Sequence, residues 1–355
     1  MEEEISQIEK NDTWELVPQP KDKNVIGTKW VFRNKQNEDG QVTKNKARLV
    51  CKGYAQVEGI EFEETYVPMA RMESIRMILA YESSKNIKVY QMDVKSAFLN
   101  GELEEEVYIE QPEGFAKKGD YVCRLRKALY GLKQAPKAWY ARLEKYLHKQ
   151  GFKKGSADRN LYMKIENEHM IIIEVYVDDI IFGSDDDRLS QQFSKDMKKE
   201  FEMSLLGELR FFLGLQISQQ ENGIFISQSK YIKEMLKRFQ MEECKPVSTP
   251  MITGCRLSKD DKSLEVDQKI YRSMIGSLLY ATASRLDILH AVGLVRKHHA
   301  APKENHLLAV KRIFRYLKGT IDFGLWYPKG NNLTLTTYTD ADWEGDIDDR
   351  KSTSG

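Results

Sequence analysis

Apolar residues crowd together in Met170-Ile171-Ile172-Ile173-Glu174-Val175 and again in Ile180-Ile181-Phe182, and the pattern breaks between them at Tyr176-Val177-Asp178-Asp179. Two short apolar runs around so tight a break predict a β-hairpin with a pair of acids at its tip. Lys88-Val89-Tyr90-Gln91-Met92 alternates as a strand does and ends on a third acid, Asp93. Helical spacing is equally plain. Ile75, Ile78 and Leu79 recur on one face within 73–83, and Trp139, Leu143, Tyr146 and Leu147 do so after Pro136, a residue suited to the first turn of a helix. Leu189, Phe193, Met197 and Phe201 follow at intervals of four. The order helix, strand, helix, hairpin, helix predicts an α+β fold built on an antiparallel sheet.

On either side the pattern continues. Trp30-Val31-Phe32 and Ala47-Arg48-Leu49-Val50-Cys51 flank a polar stretch containing Asp39-Gly40, which predicts a long hairpin. Phe211-Phe212-Leu213-Gly214-Leu215-Gln216-Ile217 and Gly223-Ile224-Phe225-Ile226 predict another. Helices are expected over 230–239, 270–283 and 305–318, and the stretch 245–267, with Pro246, Pro250 and Gly254, is expected to be a linker. Leu333-Thr334-Leu335-Thr336-Thr337-Tyr338 alternates again and reaches Asp340.

A length of 355 residues suggests two or three domains, and 41% hydrophobic with 31% charged residues is a globular composition. The net charge of +1 is no sign of nucleic-acid binding, but its distribution is uneven. Residues 117–154 hold twelve Lys or Arg against only Asp120 and Glu144, with aromatic residues interleaved. Cys51, Cys123, Cys244 and Cys255 are scattered, so neither a zinc ribbon nor a disulfide framework is expected. The first residues lack the basic start and apolar stretch of a secretory signal, and no apolar run is long enough for a membrane span. The expected setting is intracellular, cytoplasmic or nuclear, with no membrane partner.

Side-by-side carboxylates at the tip of a buried hairpin repel each other, and a divalent cation is the natural offset. What distinguishes Asp178 and Asp179 from the acid run Asp185-Asp186-Asp187 is that they interrupt apolar sequence, whereas the later run reads as a solvated turn. Asp340-Ala341-Asp342-Trp343-Glu344-Gly345 has the alternation of a calcium loop, but Lys351 stands where the loop needs its bidentate Glu. His298, His299 and His306 lack ligand spacing and are expected at the surface.

Several longer motifs occur in a telling order. Asn11-Asp12-Thr13-Trp14-Glu15-Leu16-Val17, Lys46-Ala47-Arg48-Leu49-Val50, Gln91-Met92-Asp93-Val94-Lys95-Ser96-Ala97-Phe98-Leu99-Asn100-Gly101 and Leu129-Tyr130-Gly131-Leu132-Lys133-Gln134-Ala135-Pro136 precede the acid hairpin. Tyr271-Arg272-Ser273-Met274-Ile275-Gly276-Ser277-Leu278-Leu279-Tyr280 and Asp340-Ala341-Asp342-Trp343 follow it. Over nearly its whole length the chain resembles the reverse transcriptase of a copia-type long-terminal-repeat retrotransposon. One departure is Leu286, where that family usually has Pro.

The resemblance implies a right-hand polymerase fold of fingers, palm and helical thumb, followed by a truncated RNase H-like start. Fingers, palm and the start of the thumb would occupy 1–244, the linker and the rest of the thumb 245–320, and the incomplete RNase H-like segment 321–355. It further implies an RNA-directed DNA polymerase that adds deoxynucleoside triphosphates to a primer on an RNA or DNA template. Asp93, Asp178 and Asp179 would hold two Mg²⁺ ions, with Asp179 the outer ligand. Phe98 would lie beneath the incoming sugar and exclude a 2′-hydroxyl, Arg48 and Lys46 would grip the triphosphate, and Tyr130 and Gly131 would complete the substrate site. Leu213-Gly214 would form a backbone turn that positions the primer end, with Tyr176, Val177, Lys133 and Lys137 also on nucleic acid. Asp340 would be the first metal-binding Asp of a ribonuclease H domain, with too few residues after it to complete that domain, so no ribonuclease H activity is expected. The remaining polyprotein segments are expected to be absent, and the oligomeric state stays open. The competing expectation is a relic that folds and binds nucleic acid without polymerising.

Overall fold

In the computed structural model the described residues are 1–36, 42–69, 71–117, 119–260, 262–330, 348 and 350. They combine helices with several sheets and divide into two compact units, one made of Met1–Ile75 with Val89–Gly207, the other of Arg76–Lys88 with Glu208–Gly355.

The first unit is built on a six-stranded sheet whose central strands are Val89–Val94, Asp179–Ser184 and His169–Tyr176. Alternation decides its two faces. Met92, Val94, Ile171, Ile173, Val175, Ile180 and Phe182 point to one side, where Trp139, Leu143 and Leu147 of the helix Ala135–Lys149 and Phe193 and Met197 of the helix Asp187–Glu200 bury them. Burial of these large side chains, each worth about 1.5–3 kcal/mol, holds the sheet against its helices. A smaller sheet joins Trp14–Pro18, Tyr121–Leu125, Tyr108–Ile109 and Val25–Ile26, and a separate long hairpin pairs Thr28–Gln36 with Val42–Cys51. The first strand of the small sheet pairs with a partner about a hundred residues away, Trp14 opposite Leu125, which local periodicity does not reveal.

In the second unit an antiparallel sheet of Phe211–Phe212, Leu215–Gln220, Gly223–Ser227 and Gly324–Pro328 accompanies the helices Ser229–Arg238, Gln268–Ala281, Leu289–Arg296 and Glu304–Gly319. The apolar run over 211–217, expected from its pattern as one arm of a hairpin, is two strands broken at Leu213-Gly214, where the resemblance implied a backbone turn. The stretch expected as a linker has no helix or strand among its described residues, yet Val247, Met251, Leu257 and Val266 lie on the helical core. It is tied down as well by Arg315, which donates to the Lys245 carbonyl (2.7 Å), and Arg312, which donates to Thr249 (2.8 Å). Leu286, the departure from the family pattern, starts a single 3₁₀ turn that Arg285 secures through Asp287 (2.6 Å) and the Thr320 carbonyl (2.8 Å).

Two of the three histidines expected at the surface are buried. His298 and His306 stack with ring centroids 4.0 Å apart, while His299 is exposed. His306 is drawn inward because its Nδ1 accepts the Lys303 amide at the start of its helix (3.0 Å), leaving Nε2–H to reach the Ser258 carbonyl (2.9 Å). Asp340 and the alternating stretch before it lie outside the described residues.

Candidate active site

The acid hairpin closes through Tyr176 opposite Asp179, so Val177 and Asp178 form a two-residue turn. Val177 has φ +56°, and Asp178 is not among the residues of positive φ. That is the pattern of a II′ turn, which normally has glycine at its first central position. A β-branched residue there is strained by about 1–3 kcal/mol. Trp139 compensates: its indole Nε1–H donates to the Val177 carbonyl at 2.6 Å.

The strand Val89–Val94 runs beside the second arm of the hairpin with Asp93 opposite Asp179, and the Val94 amide donates to the Asp178 carbonyl at 2.9 Å. The three acids, carried by two segments distant in sequence, therefore come to one sheet end. Their side chains are not equivalent. Gln91, two residues before Asp93 and thus on the same sheet face, donates Nε2–H to Asp179 Oδ1 at 3.0 Å. Burial lifts Asp179 above the ordinary carboxylate range; the Gln91 bond works against this, and the charge of Asp178 adds to it. Among the described residues no three His, Cys, Asp or Glu side chains converge as a metal-binding group. Asp93 and Asp178 could hold a divalent cation as a pair of carboxylates, since Mg²⁺ commonly takes one or two carboxylates and fills its shell with water and substrate phosphate.

Next to the acids stands an aromatic and cationic stack. Arg48 places its guanidinium carbon 4.3 Å from the Tyr130 ring centre, and Phe98 meets the same ring at 4.7 Å. The buried Nε–H of Arg48 has no hydrogen-bond acceptor. Burial pushes the Tyr130 hydroxyl up to about 12; Arg48 pulls the other way, while Asp178, Glu4 and Asp93 add to the rise. Tyr130 thus feels both the cation and the acids. Lys46 is two residues from Arg48 on the same strand and lines a cleft of about 800 Å³ with Glu2, Glu3, Phe32 and Phe115.

Gly131 fixes the loop against the base of the long hairpin. It has φ +93°, its neighbour Tyr130 accepts the Cys51 amide at 2.7 Å, and a Cβ at Gly131 would overlap the Cys51 carbonyl. Farther along, Lys133 lies 4.3 Å from the Phe62 ring centre, its amide donates to Gln56 (2.9 Å), and Lys137 pairs with Glu64 at 3.4 Å on the surface. Tyr176 is half-buried and Val177 is 42% exposed.

The structure brings Asp93, Asp178, Asp179, Arg48, Tyr130, Phe98 and Gly131 into one neighbourhood of the first unit. Leu213 and Gly214 belong to the second. Gln91 and Trp139 are contributors that the sequence reading did not assign to the site. Gln91 was signalled by the strand period of two, and Trp139 by the need of a buried indole N–H for an acceptor.

Residues 11–253 match the family model described as "Reverse transcriptase (RNA-dependent DNA polymerase)". The chain is 43% identical over 367 aligned positions to the Retrovirus-related Pol polyprotein from transposon TNT 1-94 of Nicotiana tabacum, covering 100% of this chain and 28% of that protein. It is 41% identical to the Retrovirus-related Pol polyprotein from transposon RE1 of Arabidopsis thaliana, over 97% of this chain and 24% of the relative. A shorter relative, the putative transposon Ty5-1 protein of Saccharomyces cerevisiae, is 34% identical over 74% of this chain and 87% of its own length. The chain thus spans about a quarter of the length of the two long polyproteins.

Proposed function

Because the chain belongs to the reverse transcriptase family of copia-type transposon Pol polyproteins, we propose that it acts as the RNA-directed DNA polymerase of such an element, extending a primer with deoxynucleotides. The observation that carries this reading is the meeting of Asp93 with Asp178 and Asp179 across neighbouring strands, beside the stack of Arg48, Tyr130 and Phe98.

Asp93 and Asp178 would hold the two Mg²⁺ ions together with substrate phosphates, and Asp179, engaged by Gln91, would take the outer position. When bound, such ions supply positive charge that activates the primer 3′-hydroxyl and stabilises the triphosphate and its leaving group. The remaining work belongs to side chains. Arg48 offers a forked, permanently charged guanidinium for the triphosphate, pre-aligned by its stacking on Tyr130. Lys46 adds charge. Phe98, steadied by the same ring, lies under the incoming sugar, where its bulk leaves no room for a 2′-hydroxyl. Trp139 holds the turn that presents Asp178. Tyr176, Val177, Lys133 and Lys137 contact template and primer, and Leu213-Gly214 seats the primer end. In this reading the long hairpin is the fingers, the six-stranded sheet with its two helices the palm, and the helices of the second unit the thumb.

A second reading, a chain that binds nucleic acid without polymerising, is favoured by one observation: the Asp179 carboxylate is engaged by Gln91. Primer extension on an RNA template with Mg²⁺, run in parallel with a binding assay, decides between them. The polymerase reading expects Mg²⁺-dependent extension, whereas binding with no extension supports the second.

A further inference from the structure

The turn between the strands Phe211–Phe212 and Leu215–Gln220 is built from two consecutive left-handed residues, Leu213 at φ +47° and Gly214 at φ +74°. Glycine accepts that conformation freely, but leucine does not, so something must hold it. The Tyr280 hydroxyl donates to the Leu213 carbonyl. The same phenol lies over Gly214, where an added Cβ would run into its hydroxyl and come within 3.0 Å of Cζ.

Tyr280 is itself held in place from several sides. It extends from the last turn of the helix Gln268–Ala281, and its ring meets Tyr231 edge-on at 4.8 Å. Tyr231 in turn donates to the Ser277 carbonyl (3.0 Å) on that helix. The Tyr280 carbonyl receives Gln228 Nε2–H (3.3 Å), and Gln228, fully buried, accepts from Ser284 (2.8 Å). A phenol so restrained can dictate the conformation of the turn it touches.

We propose that Tyr280 is a positioning residue for the primer: its hydroxyl holds Leu213-Gly214 in the strained form whose backbone seats the primer end, so that the helix Gln268–Ala281 governs primer alignment. This rests on the reading of the chain as a polymerase whose Leu213-Gly214 turn contacts the primer.

The test is steady-state extension of one primer on one RNA template by the full chain and by Tyr280→Phe, Gly214→Ala and the double variant, each checked by thermal unfolding. Tyr280→Phe keeps the ring and removes one hydrogen bond, so the KM for primer–template should rise about tenfold, with kcat and the KM for deoxynucleotide within about threefold of the parent. Gly214→Ala should be less harmful in the Tyr280→Phe background than in the parent, because the hydroxyl it would strike is gone. A parental primer–template KM in Tyr280→Phe, with or without a lower unfolding temperature, overturns the inference. So does equal damage from Gly214→Ala in both backgrounds. Failure of the parent itself to extend any primer overturns the polymerase reading and this inference with it.

Discussion

Val177 sits in a backbone conformation that suits glycine, at the turn that carries Asp178, and the indole of Trp139 bonds its carbonyl. Backbone strain of this kind persists only where the surroundings over-determine it, and here one hydrogen bond from a buried side chain does much of that. Trp139→Phe retains most of the packing and loses the bond. It should cost about 1–2 kcal/mol of stability and lower kcat for primer extension about tenfold, as measured by urea unfolding and single-turnover kinetics. A variant with unchanged kcat would show that the turn needs no such anchor.

Glu174, 1% exposed on the strand leading to the same turn, presents a different problem, since neither carboxylate oxygen has a hydrogen-bond partner. Burial, with the charge of Asp158 adding to it, pushes its carboxyl up to about 8 from an ordinary 4.5. An acid whose folded value is raised favours the fold only while protonated in both states. Its contribution is complete below about 4.5 and is lost as pH climbs to about 8. Glu174→Gln removes that dependence. Its stability advantage over the parent should therefore grow between pH 5 and 8, reaching on the order of a few kcal/mol. Unfolding at several pH values checks this, and an offset that does not change with pH would contradict it.

At the scale of elements, the legible parts were those whose pattern is local. The apolar run, two-residue break and second run gave the hairpin His169–Tyr176 with Asp179–Ser184, and the four-residue spacing of Leu189, Phe193 and Met197 gave the helix Asp187–Glu200. Spacing could not show that Phe211 to Ile217 breaks at Leu213-Gly214, because a left-handed leucine leaves no signature in an apolar run, and the turn there was implied by the family resemblance alone. The burial of His298 and His306 was equally hidden, since it arises from a capping bond and a stack formed only when segments distant in sequence meet. Likewise 245–267 looked like a linker because it holds Pro246, Pro250 and Gly254 and few bulky apolar residues, whereas its apolar side chains serve as a strap on the helical core. Of the site, the acids could be read from their positions, but the Arg48–Tyr130–Phe98 stack joins three separate segments; the family resemblance assigned each residue to the substrate site without indicating that they stack. Gly131 is where two of those segments touch. Gly131→Ala introduces both a forbidden φ and an overlap with the Cys51 carbonyl, so it should destabilise the chain by about 2 kcal/mol or more in thermal unfolding. A stability within about 0.5 kcal/mol of the parent would contradict that account of the loop.

For the whole molecule, the clustered basic residues of 117–154 turn out to be partly spent on neighbours. Lys117 pairs with Glu9, Arg126 with Asp12 and Glu15, Arg142 with Glu200, and Lys154 with Glu144. A count of charges along the chain therefore overstates the electrostatic attraction for nucleic acid. If Lys133 contacts a phosphate, Lys133→Ala should weaken primer–template binding alike for all sequences and reduce the salt dependence of log affinity by about 1. Arg126→Ala, which removes an occupied cation, should leave that slope unchanged. Titrations at several salt concentrations compare the two.

The most direct measurement is Mg²⁺-dependent primer extension on an RNA template by the parent, Asp93→Asn and Asp178→Asn, with primer–template binding recorded on the same samples. The account predicts that the parent extends the primer and that either substitution lowers extension by at least about a thousandfold while leaving binding within a few-fold, as expected when charge stabilisation of the transition state is lost. Extension that persists in Asp93→Asn or Asp178→Asn, or a parent that binds primer–template and never extends it, would contradict the central claim.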